Sequence, residues 1–284
     1  MMENFKGYLL AEDKSENTIK GYIQSVEGYL KWFDESKGVE FSKLHRENVR
    51  DYVSYLKTVK QSKPKTINTK INALMKFNEF LVETNVQKDI VITKKDYMKV
   101  QQQYASLAKV ELKDVEKFRQ LILDSENKRN YAIITLLSYA GLRISEAINL
   151  KMNDFNLVSR ELIVKEGKGE KTRTVFINDK VKAAIQSWIR ERKEKGIENE
   201  YLFISNRNKA LNRTTINKLF NDYSSKVGKE ITPHDLRHFF CSHALNSGLS
   251  VHEVANQAGH SNIHTTMLYT NPTKDDLINK MNNL

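Results

Sequence analysis

Along the first third of the chain the apolar positions recur at helical spacing. In SENTIKGYIQSVEGYLKWFDESKG, residues Ile19, Tyr22, Val26, Tyr29, Leu30 and Phe33 fall on one face of a helix. Ser15 and Asn17 offer caps at its start, and Gly38 offers a stop. RENVRDYVSYLKTVK repeats the pattern with Val49, Tyr52, Val53 and Leu56. KPKTINTKINALMKFNEFLVET repeats it with Ile67, Ile71, Leu74, Phe77 and Leu81, entered through Pro64, whose fixed φ suits a first helical position. Three amphipathic helices with short connections predict a helical bundle over residues 1–90. The period fades from about residue 86, where Lys and Gln accumulate, and residues 91–106 read as a linker with room for a short helix.

A second domain is expected over residues 107–284. LKDVEKFRQLILDS and KRNYAIITLLSYAGLRISEAINL read as helices, the latter interrupted near Gly141. LIVK and TRTVFI are β-branched runs flanking EGKGEK, which predicts a hairpin. KVKAAIQSWIRERKEKG and TTINKLFNDYSSKVG are again helical in pattern. At the end of the chain, Leu277, Ile278, Met281 and Leu284 line one stripe of a short interaction helix expected at about 273–284. The predicted fold class is mainly α with a small antiparallel β-sheet, an α+β arrangement.

Composition narrows the partners. The chain has 284 residues, with 46 Lys+Arg against 35 Asp+Glu and a net charge of +11. Both halves share the excess, which favours a polyanion, since each cation placed near a phosphate releases condensed counterions. The third helix carries a polar face of Lys63, Lys65, Asn68, Lys70, Asn72 and Lys76, suited to phosphate and base-edge contacts; its plain alternative is an ordinary solvated face. The one cysteine, Cys241, excludes an internal disulfide, and its apolar setting in FFCSHAL reads as core. No run reaches the length of a membrane span and the first residues do not read as a signal peptide, so a cytoplasmic protein with no membrane partner is expected. The chain shows no GxxxxGK[ST] loop and no acidic cluster of the two-metal kind.

The chemistry concentrates in TPHDLRHFF and AGHSNIHTTMLYT, which place His234, Arg237 and His260 ahead of Tyr269, and in YAGLRISEAINL, which holds Arg143. Phosphodiester transfer builds negative charge on the nonbridging oxygens, and preorganised cations must face it. Arginine's planar fork stays charged and bonds such oxygens in pairs. A tyrosine phenol can take the phosphate covalently and conserve the bond energy, so neither ATP nor a metal is needed. Lys168, in a glycine-flanked hairpin, is the candidate acid for the leaving oxygen. His234 and His238 lie four apart, near Cys241 and His243, but this spacing fits no common zinc pattern, and no metal is expected.

These boxes resemble those of the tyrosine recombinases, the class of phage integrases and Xer proteins. LRISE matches the first arginine motif, which implies Arg143 as a phosphate clamp and Glu146 as the accompanying acid. GKGEKTR matches the hairpin motif and implies Lys168 as general acid, with Lys171 its nearby rival. HDLRH implies His234 and Arg237, with His238 in support; GHSNIHTTMLYT implies His260 and the nucleophile Tyr269. The match runs over residues 105–275 with no departure at a catalytic position, while the N-terminal bundle resembles the core-binding domain more loosely. The resemblance implies a 3′-phosphotyrosyl intermediate and a Holliday junction. It also implies a homotetramer on double-stranded DNA with an inverted-repeat core site, a C-terminal helix docked on a neighbour, with docking on its own domain as the alternative, and no cofactor. DNA contacts are expected from Lys63, Lys65, Lys70 and Lys76. Size and the lack of an added arm domain point to resolution of transposon cointegrates or replicon dimers, with accessory DNA repeats or proteins as possible partners. The alternatives are an integrase or excisionase of a mobile element, a type IB topoisomerase-like relaxation, and a non-catalytic DNA-binding regulator.

Overall fold

The computed structural model describes residues 1–100, 109–125, 127–166, 171–270, 278 and 281–282, the side chains of Glu166 and Lys171 excepted. The chain divides into two compact units, Met1–Gln102 and Gln103–Leu284. No helix among the described residues is long and apolar enough to cross a membrane.

Among its described residues the first unit has four α-helices: α1 (Met2–Ala11), α2 (Glu16–Lys37), α3 (Arg46–Thr58) and α4 (Pro64–Glu83). The cap signals act as expected on α2. Ser15 Oγ accepts from Thr18 N, and Gly38 ends the helix in the left-handed conformation at φ 62°. Asn17 instead lies inside the helix. The pattern did not predict α1, whose apolar positions Phe5 and Leu9 form a stripe barely two turns long; both are completely buried. The core they enter is aromatic. Phe5 meets Phe77 edge-on at 5.1 Å, and Tyr29 meets Tyr52 edge-on at 5.2 Å.

The stretch expected as a linker behaves differently over Val91–Met98. Asn78, fully buried on α4, accepts from Val91 N at 2.7 Å and donates to Asp89 O. Asn68 accepts from Met98 N at 2.8 Å and donates to Met98 O at 3.0 Å. Tyr97 Oη bonds the Asn72 side chain, Ile92 is buried, and a 3₁₀ turn spans Lys94–Asp96. The amides of α4 thus satisfy a non-repeating backbone that would otherwise bury unpaired groups.

The second unit comprises α5 (Leu112–Asp124), α6 (Lys128–Ala140), α7 (Ile144–Ile148), β1 (Phe155–Asn156), β2 (Glu161–Glu166), β3 (Lys171–Phe176), α8 (Asp179–Glu194), α9 (Arg213–Val227), α10 (Pro233–Asn246), α11 (Val251–Ala258) and α12 (His264–Met267). Every residue of α6 from Ala132 to Ala140 is buried, and α5, α8 and α10 pack around it. A helix apolar on all sides belongs at the centre of a domain. The strands form an antiparallel sheet in the order β1-β2-β3, with Leu162 opposite Val175 and Val164 opposite Arg173. The fold is thus mainly α with one small antiparallel sheet, as expected. The expected turn at 167–170 and most of the expected C-terminal stripe lie outside the described residues; of that stripe, Ile278 and Met281 are exposed.

Candidate active site

The site is assembled from four chain segments of the second unit. Helix α6 stops at Gly141, whose φ of 68° admits glycine without strain. A Cβ there would lie 2.3 Å from the Phe240 ring, so the close approach of α10 depends on the missing side chain. This stop frees Gly141 O, which accepts from Arg237 Nη1 at 2.6 Å. Arg237 stands on α10, which starts with Pro233 and a reciprocal cap between Thr232 and Asp235. Its guanidinium is buried, and burial followed by the Arg143 charge lowers its pKa.

Arg143 occupies the cap position of α7 in extended conformation. Its backbone N–H donates to Glu146 Oε2 at 2.7 Å, and its Nη1 donates to Glu146 Oε1 at 2.7 Å. Its Nη2 reaches Gly259 O at 2.6 Å, tying α7 to the end of α11. Arg173, from β3, grips the same carboxylate in bidentate fashion, at 3.0 and 2.8 Å. A Cβ at Gly259, where φ is 68°, would lie 2.6 Å from the Arg173 guanidinium. Burial alone would push the Glu146 carboxyl upward, but hydrogen bonds from Arg173 and from the Arg143 backbone hold it below the usual carboxylate range. Glu146 therefore aligns two arginines as a fixed anion.

His260 follows Gly259. Its Nδ1 shares a hydrogen bond of 2.7 Å with the buried Thr266 hydroxyl of α12. Burial, then the charges of Arg237 and Arg143, lower its pKa to about 4, so the imidazole is neutral at physiological pH. The turn after α12 delivers Tyr269, which packs against the small cluster of Phe240, Cys241 and Ala244. The phenol bonds His238 Nδ1, and His238 Nε2 bonds His234 Nε2 at 2.7 Å. The imidazole against the phenol is thus His238, with His234 behind it. Burial lowers the His238 pKa to about 4, helped by His234. Burial, then Cys241, pushes the Tyr269 phenol up, and Arg237 opposes them. Cys241 is buried, and its thiol is pushed up to about 11 by that burial.

The structure thus brings together Arg143, Glu146, His234, Arg237, His238, His260 and Tyr269 in one unit. Lys168 lies outside the described residues, as does the side chain of its rival Lys171. Among the described residues, no group of three or more His, Cys, Asp or Glu is placed to hold a metal. Sequence reasoning missed Arg173. Its signal was strand alternation, which sets it on the face of β3 shared by Val175, whereas the motif drew the eye to the lysines. It also missed a row on α9. Arg213, Asn217 and Asn221, each four residues apart and exposed, line a cleft of about 620 Å³ with Arg143, His234 and Arg237.

In the first unit the expected DNA-contacting lysines separate. Lys63 and Lys65 are exposed and Lys70 is half-buried. Lys76 is withdrawn into ion pairs with Glu12 at 2.5 Å and Glu79 at 2.6 Å, its side chain 19% exposed. It fastens α4 to the end of α1, so we remove it from the set of candidate contacts. Asn68 and Asn72 of the same polar face are likewise engaged with Tyr97 and Met98.

Comparison with known proteins accords with this geometry. Residues 109–276 match the model of the phage integrase family, and residues 1–88 match that of the phage integrase N-terminal SAM-like domain. The chain is 51% identical over 281 residues to the TnP I resolvase of Bacillus thuringiensis, covering 98% of both chains. It is 32% identical to the tyrosine recombinase XerA of Pyrococcus horikoshii, covering 98% of this chain and 90% of that one. In fold it is similar to the XerH site-specific recombinase in a post-cleavage complex with a palindromic difH substrate. That likeness has a TM-score of 0.76 at 22% identity, over 93% of this chain and 78% of the other. By family match and by full-length identity, the chain belongs to the phage integrase family, the tyrosine recombinases, and is a site-specific recombinase.

Proposed function

We propose that the protein cuts and rejoins double-stranded DNA at an inverted-repeat core site through a 3′-phosphotyrosyl intermediate, with Tyr269 as nucleophile. The observation that carries this reading is the convergence of a half-buried phenol, two arginines and neutral imidazoles in one unit. Arg143 and Arg237 face the nonbridging oxygens of the scissile phosphate, each held by carbonyls or a carboxylate that leave little reorganisation for the reaction. His260, fixed by Thr266, donates a further hydrogen bond through Nε2. Lys168 protonates the 5′ oxygen as it leaves. The 5′ hydroxyl of a partner strand then attacks the tyrosyl link, and a second round resolves the Holliday junction within a homotetramer.

The α9 row of Arg213, Asn217 and Asn221 is suited to base edges, arginine to guanine and asparagine to adenine, beside the phosphate clamp. Lys63, Lys65 and Lys70 supply phosphate contacts from the first unit. The full-length likeness to a protein named as a resolvase favours resolution of transposon cointegrates or replicon dimers over integration. Incubation of the full chain with a nicked suicide substrate tests the reaction. A covalent adduct is expected from the native chain and none from Tyr269→Phe; an adduct that survives that substitution assigns the chemistry elsewhere.

A further inference from the structure

We infer that His238 is the general base that takes the Tyr269 proton and that His234 is the positioning residue through which this proton leaves. The inference rests on Tyr269 being the nucleophile. His238 Nδ1 is the nitrogen bonded to the phenol, and His238 Nε2 is bonded to His234 Nε2. A neutral imidazole has one donor and one acceptor nitrogen. With the phenol donating to Nδ1, His238 carries its own proton on Nε2 and donates it to His234, whose remaining proton sits on Nδ1. The three side chains then form a directed chain from a half-buried phenol to an exposed imidazole at the edge of the 620 Å³ cleft.

The surroundings leave the His238 imidazole unprotonated and able to accept. Among the described residues, the charged and titratable groups facing His238 are His234, Asp235 and Arg237 of α10, together with Tyr269 and His260 from the segments packed against it. Burial, with the Arg237 charge beside it, keeps His238 neutral, and so able to accept, throughout the neutral range. In the cleavage step the Tyr269 Oη–P bond forms as the P–O5′ bond breaks. The phenol proton passes to His238 Nδ1, the His238 Nε2 proton passes to His234 Nε2, and His234 releases its Nδ1 proton to water. The 5′ oxygen takes its proton from the separate acid, so charge and protons balance, and rejoining runs the same transfers backwards.

The test is single-turnover adduct formation by the full chain on a suicide substrate between pH 6 and 9, with His238→Asn as the variant. Asparagine keeps a polar atom near Nδ1 but cannot take a proton. The variant is expected to lose about 10²–10³-fold at neutral pH, within the range for general-base removal. It should regain roughly tenfold per pH unit as hydroxide replaces the imidazole, whereas the native profile stays shallow. A 5′-bridging phosphorothiolate, whose sulfur leaves without protonation, is expected not to rescue it. Native speed, a uniform loss with the native pH profile, or rescue by sulfur each overturns the assignment. Should His238→Asn no longer bind DNA, His234→Asn on the exposed rim takes its place, expected to slow the phosphorothiolate reaction about tenfold; an unchanged rate there overturns the relay. An adduct from Tyr269→Phe would instead overturn the underlying choice of nucleophile.

Discussion

Lys76 in the first unit and the arginine site in the second show two ways to bury positive charge. Lys76 is one cation between two carboxylates, Glu12 and Glu79. In the site the ratio is inverted: Glu146 is shared by Arg143 and Arg173, and Arg237 is anchored by the neutral carbonyl of Gly141. The titration shifts record the difference. Burial opposes the charge of Lys76, yet its two acids raise its pKa. Burial and cationic neighbours act together on His260 and take it down to about 4. A cation matched by acids stabilises a fold, while cations anchored largely by dipoles leave a positive field available to an incoming phosphate.

This contrast can be broken from either side. The largest effect is expected from Arg237→Ala, which should cut adduct formation about 10³-fold in single-turnover assays while DNA affinity stays within about tenfold. A comparable loss of both would make Arg237 a binding residue. Next, Gly141→Ala puts a methyl into the Phe240 ring at an unfavourable φ and should destabilise the second unit by about 2–4 kcal/mol in urea denaturation. A neutral result would show that α10 can retreat.

Lys76→Met should destabilise the first unit by about 1–3 kcal/mol, because Glu12 and Glu79 lose their partner, yet leave the salt dependence of DNA binding unchanged. Lys63→Gln and Lys65→Gln should do the reverse, each lowering the salt slope by about one with stability unaffected. The gentlest effect concerns acid. The folded pKa of His260 and of His238 is about 4, below the ordinary value of 6.5. The unfolded chain therefore binds more protons between these values, and stability is lost as pH falls from 6.5 towards 4. His260→Gln should flatten that decline in thermal melts across this window.

Much of the site was legible because the reaction constrains residue types more than positions. A transferred phosphate needs forked cations, imidazoles and a nucleophile, and LRISE, HDLRH and the run from His260 to Tyr269 supply them in order. Helices α2, α3, α4, α8 and α9 were legible for a different reason, since each must bury one stripe and the stripe repeats in the sequence. Helix α1 was not, because two apolar residues do not establish a period.

By itself, then, the sequence determined the fold class, the family and most of the candidate site residues, for periodicity and residue chemistry are local properties. Tertiary structure alone decided which groups meet. It set His238 rather than His234 against the phenol, brought Arg173 across from β3 to Glu146, withdrew Lys76 from the surface and engaged Asn68, Asn72 and Asn78 with Val91–Met98. These pairings join residues far apart in the chain, and they follow from the need to satisfy each buried polar group once the apolar stripes have closed.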